Sequence, residues 1–314
     1  MRASQRTLGV AMTAETAGNG SPSVLLDACS RVGIEARGAQ RVQFGAGVGY
    51  RLPSGVLVRI GRLAHAGEVL REMEVSRWLA AAGLAAVRAV PGLRQPIDVH
   101  GHAVTFWLDP PPHRPADVTE LAVALSRLHA APLPTTFALG QVQPFRQLAR
   151  AVDAAACFGA EDRRWLHEHL AELRGRWADL AAGNQWCVVH GEAWGREFAV
   201  TSDQRSLLLD PQHLMIGPPE WDLVPTAVEY YSLGWIDGGS YDCFCRGYGL
   251  DVTRWGGYFL LRDIREFRMT LAAARVAATA DTWRAQAHQR LACIRGDDGP
   301  RRWLGWEPLP AAAR

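Results

Sequence analysis

Residues 188–200 read VVHGEAWGREFAV, an apolar run of strand character, then a turn holding a histidine, two glutamates and an arginine, then apolar residues again. A polar turn between two apolar strands is either a solvated loop or a place where charge is put to use. The sequence around it decides between the two. Downstream, SLLLDP (206–211) is a second short strand-like run, and it ends on Asp210. Glu192, Glu197 and Asp210 therefore sit on two loops that leave neighbouring short strands. Carboxylates so placed can share a divalent cation, because Mg²⁺ takes hard oxygen ligands, usually one or two carboxylates with phosphate oxygens and water.

Upstream, RVQFGAGVGYRLPSGVLVRIGR (41–62) alternates apolar and polar residues around glycines and a PSG turn, the pattern of a β-hairpin. Gly45, Gly47 and Gly49 carry no side chains, so backbone here can approach phosphates closely. One strand later, Arg59 can point a cation at those phosphates. Singly, each feature has an ordinary explanation as a turn, a surface charge or a solvated loop. Taken in this order they outline phosphoryl transfer, whose needs are positioning and charge neutralisation.

The spacing of Val69, Leu70, Met73, Val75, Trp78 and Leu79 predicts a helix from Gly67, closed by Gly83. Two or three further strands are expected up to TFWLDP, and a proline cluster at 110–112 marks a linker. Beyond it the pattern is helical over 116–131, 144–159 and 160–183, is interrupted by QWCVVH and SLLLDP, and resumes from about Trp221 to Cys293. The expected order is a small β-rich lobe with one helix (23–108), then a larger, mainly helical lobe (109–314).

Composition bounds the partners. The chain has 314 residues, 48% of them hydrophobic, enough for a sizeable core. All 34 basic residues are arginine, so any chemistry that usually recruits lysine must use arginine here. Residues 1–108 carry 12 arginines against 7 acids and residues 109–314 carry 22 against 25, a balance of +5 and −3. Neither half is basic in runs, which argues against nucleic acid or an anionic membrane as the principal partner. The six cysteines lack CxxC spacing, so a reducing, cytoplasmic setting is expected. Residues 1–22 lack the apolar core of a secretory signal and read as a flexible leader.

The turn at 188–200, taken with LLLDPQHLMIGPPEWDLVPTAV (207–228), resembles the His-Gly-Asp-x-x-x-x-Asn and Ile-Asp-Phe motifs of the aminoglycoside phosphotransferase and choline kinase-like family, relatives of protein kinases. The likeness runs over roughly 40–300 and takes in the glycine hairpin, REMEVSRWLAAAG, LSRLHA, GPPEWDL and LRDIREFRMT. It implies a bilobal α+β kinase-like fold with a hinge near Phe106 to Leu108, and use of ATP or GTP with Mg²⁺. By position, Glu192 stands where the family has its catalytic aspartate, Glu197 where it has a metal-binding asparagine, and Asp210 where it has the second metal-binding aspartate. Arg59 replaces the phosphate-anchoring lysine and Glu72 is its ion-pair partner, while His190 and Asp222 hold the catalytic loop in shape.

The departures matter as much as the matches. Glutamate at 192 keeps the charge but moves it by about 1 Å, a displacement that can cost about 10²-fold in rate. Glutamate at 197 adds negative charge beside the metal. The resemblance thus implies a phosphotransferase acting on a hydroxyl of a small molecule, such as an antibiotic or natural-product intermediate, or of a peptide Ser or Thr. Its alternative is a pseudokinase that binds nucleotide or a partner protein as regulator or scaffold.

Overall fold

The computed structural model describes residues 22–44, 47–180, 185–193, 197–209 and 211–310. The expected leader lies almost wholly outside the described residues. Two compact units emerge, one of residues up to Met73 with Arg88–Asp109, the other of Glu74–Val87 with the chain from Pro110 onward.

In the first unit, α1 (Pro22–Val32) precedes β1 (Gln40–Phe44), β2 (Gly47–Leu52) and β3 (Val56–Arg62), and α2 (Ala66–Ala81) leads on towards β4 (Ile97–Val99) and β5 (His102–Leu108). The strands form one antiparallel sheet in the order β1-β2-β3-β5-β4. Strand periodicity explains its faces. Val56, Val58 and Ile60 of β3 point one way, with Val104 and Phe106 beside them, and pack in a core with Val24, Leu25, Ala28 and Cys29 of α1. Arg59, Leu57 and Thr105 therefore belong to the opposite face. The β4–β5 turn is His100-Gly101 with both φ values positive, the signature of a tight hairpin matched to strand twist. Helix α1 was not anticipated.

The second unit begins inside α2. Ser76 Oγ donates to Val87 O at 2.7 Å, and Ala85 to Val87 exchange main-chain hydrogen bonds with Leu208. The chain then forms β6 (His113–Pro115), α3 (Val118–His129), α4 (Leu148–Asp153), α5 (Ala160–Leu180), β7 (Cys187–Val189), β8 (Phe198–Thr201), β9 (Ser206–Leu208), β10 (Met215–Gly217), α6 (Glu220–Val228), α7 (Gly238–Tyr248), α8 (Tyr258–Ala277) and α9 (Arg284–Arg295). Strands β6-β8-β9 make one small antiparallel sheet and β7-β10 another. A capping box starts α3, with Asp117 accepting from Glu120 N and the Glu120 side chain accepting from Asp117 N. Helix α8 is buried along most of its length, so the two charged residues buried within it, Arg265 and Glu266, need partners.

The segment after α9 closes this unit. Ser232 O accepts the main-chain N–H groups of Arg302 (3.1 Å) and Trp303 (2.8 Å), and Trp235 Nε1 donates to Trp306 O at 2.9 Å. Arg301 binds both oxygens of buried Glu266, and the Arg290 guanidinium lies 4.8 Å from the Trp306 ring centroid. The helix expected over 144–159 is confined to α4, because Gln147 enters the left-handed region (φ +62°) and Ala154 to Gly159 turn away. Among the described residues no helix is long and apolar enough to cross a membrane.

Candidate active site

The loop after β7 is held by one carboxylate. Asp222, fully buried in the first turn of α6, accepts from His190 N at 2.5 Å and Gly191 N at 2.9 Å, and lies 3.1 Å from His129 Nε2. His129 Nδ1 in turn contacts Tyr248 Oη at 2.8 Å. Trp221 Nε1 donates to Gly191 O at 2.8 Å, so both polar groups of the Gly191 main chain are fixed from α6. Gly191 has φ +87°, and a Cβ there would stand 2.9 Å from His213 O and 3.1 Å from Met215 Cε. Only glycine fits both the backbone and the space. The fully buried His190 ring packs against Phe198, with centroids 5.1 Å apart.

This frame presents Glu192, whose side chain is about a third exposed. Its carboxylate meets two guanidiniums of α8, Arg265 Nη1 at 3.2 Å and Arg268 Nη2 at 2.5 Å. Arg268 also donates to Pro144 O at 3.2 Å and lies 5.7 Å from the Trp221 ring centroid. Burial by itself raises a carboxyl's pKa, but Arg265 and Arg268, with His213 as a lesser contributor, outweigh it and hold the Glu192 carboxyl below the usual carboxylate range.

Glu197 stands at the open end of the β8–β9 hairpin, where its carbonyl accepts from Leu209 N at 3.0 Å. It is thus paired with the residue that precedes Asp210 in the chain. Asp210 itself lies outside the described residues, and among those described no group of three or more His, Cys, Asp or Glu could hold a metal ion. The donor chemistry of Glu197, a carboxylate at a hairpin end, fits a hard cation.

In the first unit, Gly49 is paired with Arg59, and Arg59 with Thr105 on its other side. Gly47 opposes Phe44 next to the turn, and Gly45 lies outside the described residues. Arg59 Nη1 reaches Glu72 Oε2 at 2.6 Å, with side chains only 17% and 8% exposed, so the pair is well shielded from water. Leu108 N donates to Arg88 O at 2.8 Å. Phe106 is engaged within its own unit. Its ring is fully buried on the α1 side of the sheet, its N–H is taken by Gln95 Oε1 at 2.7 Å, and its carbonyl accepts from Val90 N and Gln95 Nε2.

Sequence reasoning missed Arg265 and Arg268 as site residues. Their signal was a pair of arginines three apart, on one side of a helix. It missed His129 too, which ends α3 and backs Asp222.

A kinase-like α+β fold is what these elements define. The profile of the phosphotransferase enzyme family matches residues 38–267, and the chain belongs to that family. Among solved structures, it is similar to the choline kinase of Streptococcus pneumoniae at 14% identity and TM-score 0.60, covering 87% of this chain and 97% of that one. It is similar to an aminoglycoside phosphotransferase of Streptomyces rimosus, solved with ADP and streptomycin, at 18% identity and TM-score 0.53, covering 76% and 97%. It is also similar to an amicoumacin kinase solved with AMP-PNP, Ca²⁺ and Ami, at 11% identity and TM-score 0.65, covering 87% and 91%. No curated protein sequence matches the chain.

Proposed function

We propose that the protein transfers the γ-phosphoryl group of ATP or GTP to a hydroxyl of a small molecule, such as an antibiotic or natural-product intermediate, or of a peptide serine or threonine. The observation that carries this reading is Asp222, which binds the two main-chain N–H groups that aim Glu192. In the reaction, the acceptor oxygen bonds to the γ-phosphorus and the bond to the β–γ bridging oxygen breaks. The nucleoside diphosphate leaves with that electron pair, and the hydroxyl proton passes to Glu192. In the first unit, Arg59 braced by Glu72 is assigned to phosphate, with Gly47, Gly49 and Leu108 assigned to the nucleotide. Arginine suits the task because its charge is permanent and its fork binds phosphate oxygens in pairs. Glu197 and Asp210 are the residues that would hold Mg²⁺, which supplies charge neutralisation of the phosphates when bound.

One observation favours a second reading. The carboxylate of Glu192 is occupied by Arg265 and Arg268, as expected of a pseudokinase that keeps the fold to regulate or scaffold a partner protein. Calorimetric titration with ATP and GTP, with and without Mg²⁺, followed by a phosphate-release assay, separates the two. The first reading expects Mg²⁺-dependent binding that Asp210→Ala abolishes, and turnover that Glu192→Gln lowers by about 10²-fold. Binding without turnover supports the pseudokinase, and a chain that binds no nucleotide ends the first reading.

A further inference from the structure

The surroundings of Glu192 bear on the acceptor, provided that the phosphotransferase reading holds. From Arg268 an uninterrupted run of rings leads outward across the helical unit. Arg268 lies over Trp221, Trp221 meets Trp177 edge-on at 6.0 Å, and Trp177 meets Phe145 edge-on at 6.5 Å. Trp177 and Phe145 are only half-buried, so the run reaches solvent. At its far end exposed Arg174 of α5 lies 5.9 Å from the Phe145 centroid.

The charges along this path are cationic in balance. Arg265 and Arg268 face Glu192, Glu229 lies near Arg265, and Arg174 stands at the far end by Phe145. Glu172, one helical turn from Arg176 on α5, is taken up by His169 and Arg176. A cationic acceptor placed beside Glu192 meets two guanidiniums that already hold the carboxylate. An anionic one meets donors whose planar forks match a carboxylate or phosphate, next to rings that favour flat apolar groups.

We infer that the acceptor is an anionic molecule bearing an aromatic or similarly flat ring, whose acid group takes Arg268 from Glu192 while its ring lies along Trp177 and Phe145. The exchange matters for reactivity. Glu192 held by two arginines is a poor proton acceptor, and an acid group that replaces it on Arg268 leaves it able to accept the hydroxyl proton. A neutral or cationic alcohol has no means of making that exchange, so the clamp also selects.

The test uses the full chain and three matched probes, 4-(hydroxymethyl)benzoate, 1,4-benzenedimethanol and 4-(hydroxymethyl)benzylamine, titrated by saturation-transfer NMR without nucleotide. The benzoate is expected to bind at least about tenfold more tightly than the amine, the advantage shrinking with added salt. Arg268→Gln is expected to reduce the preference to less than about threefold, as one charge-assisted pair is lost. Because Arg268 is partly buried, Arg174→Glu serves as the second variant. Its side chain is exposed, so the fold survives, and the benzoate should weaken while the diol is unaffected. Equal or tighter binding of the amine, no binding of any probe, or a preference untouched by both variants overturns the inference. Selective benzoate binding by a chain that shows neither Mg²⁺-dependent nucleotide binding nor phosphate release upholds the anionic site and ends the phosphotransferase reading, so the two fail separately.

Discussion

Replacing Asp222 by asparagine changes one atom of a fully buried side chain and tests the frame under Glu192. Each carboxylate oxygen accepts a main-chain N–H, one from His190 and one from Gly191. An asparagine has a single carbonyl oxygen, so its NH₂ group must face one of the two N–H groups, donor against donor. The lost bond to a charged acceptor is worth about 1.5–3 kcal/mol, and the buried N–H left without a partner adds about 1–3 kcal/mol. Allowing for relaxation, the expected destabilisation is about 3 kcal/mol. In a unit of this size that corresponds to a fall in Tm of about 6–12 °C. Thermal melts followed by near-UV circular dichroism measure it. An asparagine variant that melts within about 2 °C of wild type, less than the shift of a single kcal/mol, refutes the claim that Asp222 carries the loop.

Gly191→Ala should cost at least about 2 kcal/mol, from the left-handed backbone and the contact with His213 O, and urea titration checks it. For Glu192, whose carboxyl is held low by Arg265 and Arg268 against the effect of burial, the stabilising contribution is present above the ordinary carboxylate pKa of about 4.3 and lost as pH falls through the lower folded value. The stability difference between wild type and Glu192→Gln should therefore narrow as pH drops below about 4, and a constant difference refutes the assignment. Arg59→Met should cost about 2–4 kcal/mol by leaving Glu72 shielded and without this partner, whereas Arg59→Met with Glu72→Met should cost less than the sum of the single changes. Strict additivity in that cycle refutes a working pair.

Legibility in the sequence followed the range of the interactions. The alternation of Val56, Val58 and Ile60 against Leu57 and Arg59 declares a two-faced strand, and the PSG turn closes its hairpin, because both are written in adjacent residues. The clamp on Glu192 joins positions 73 and 76 residues apart. Sequence shows Arg265 and Arg268 on one side of a helix but not which loop that side meets. Helix α1 escaped notice because its apolar face is only four residues, Val24, Leu25, Ala28 and Cys29, and its partner is a sheet formed later in the chain. The hold of Gln95 on the Phe106 N–H is hidden for the same reason, since it joins residues 11 apart across a turn.

The closure of the helical unit by residues 301–306 sets a timetable for synthesis. Everything in the first unit has been made once Asp109 has been added. The second unit also contains Glu74–Val87, made still earlier, yet the N–H groups that cap Ser232 and the guanidinium that neutralises Glu266 belong to Arg301, Arg302 and Trp303. At translation rates of about 5–20 residues per second, residues 74–87 wait roughly 10–40 s for those partners. Over that interval the sheet unit can be native on the ribosome while the helical unit still lacks the segment that closes its core, the state in which a chaperone has most to hold.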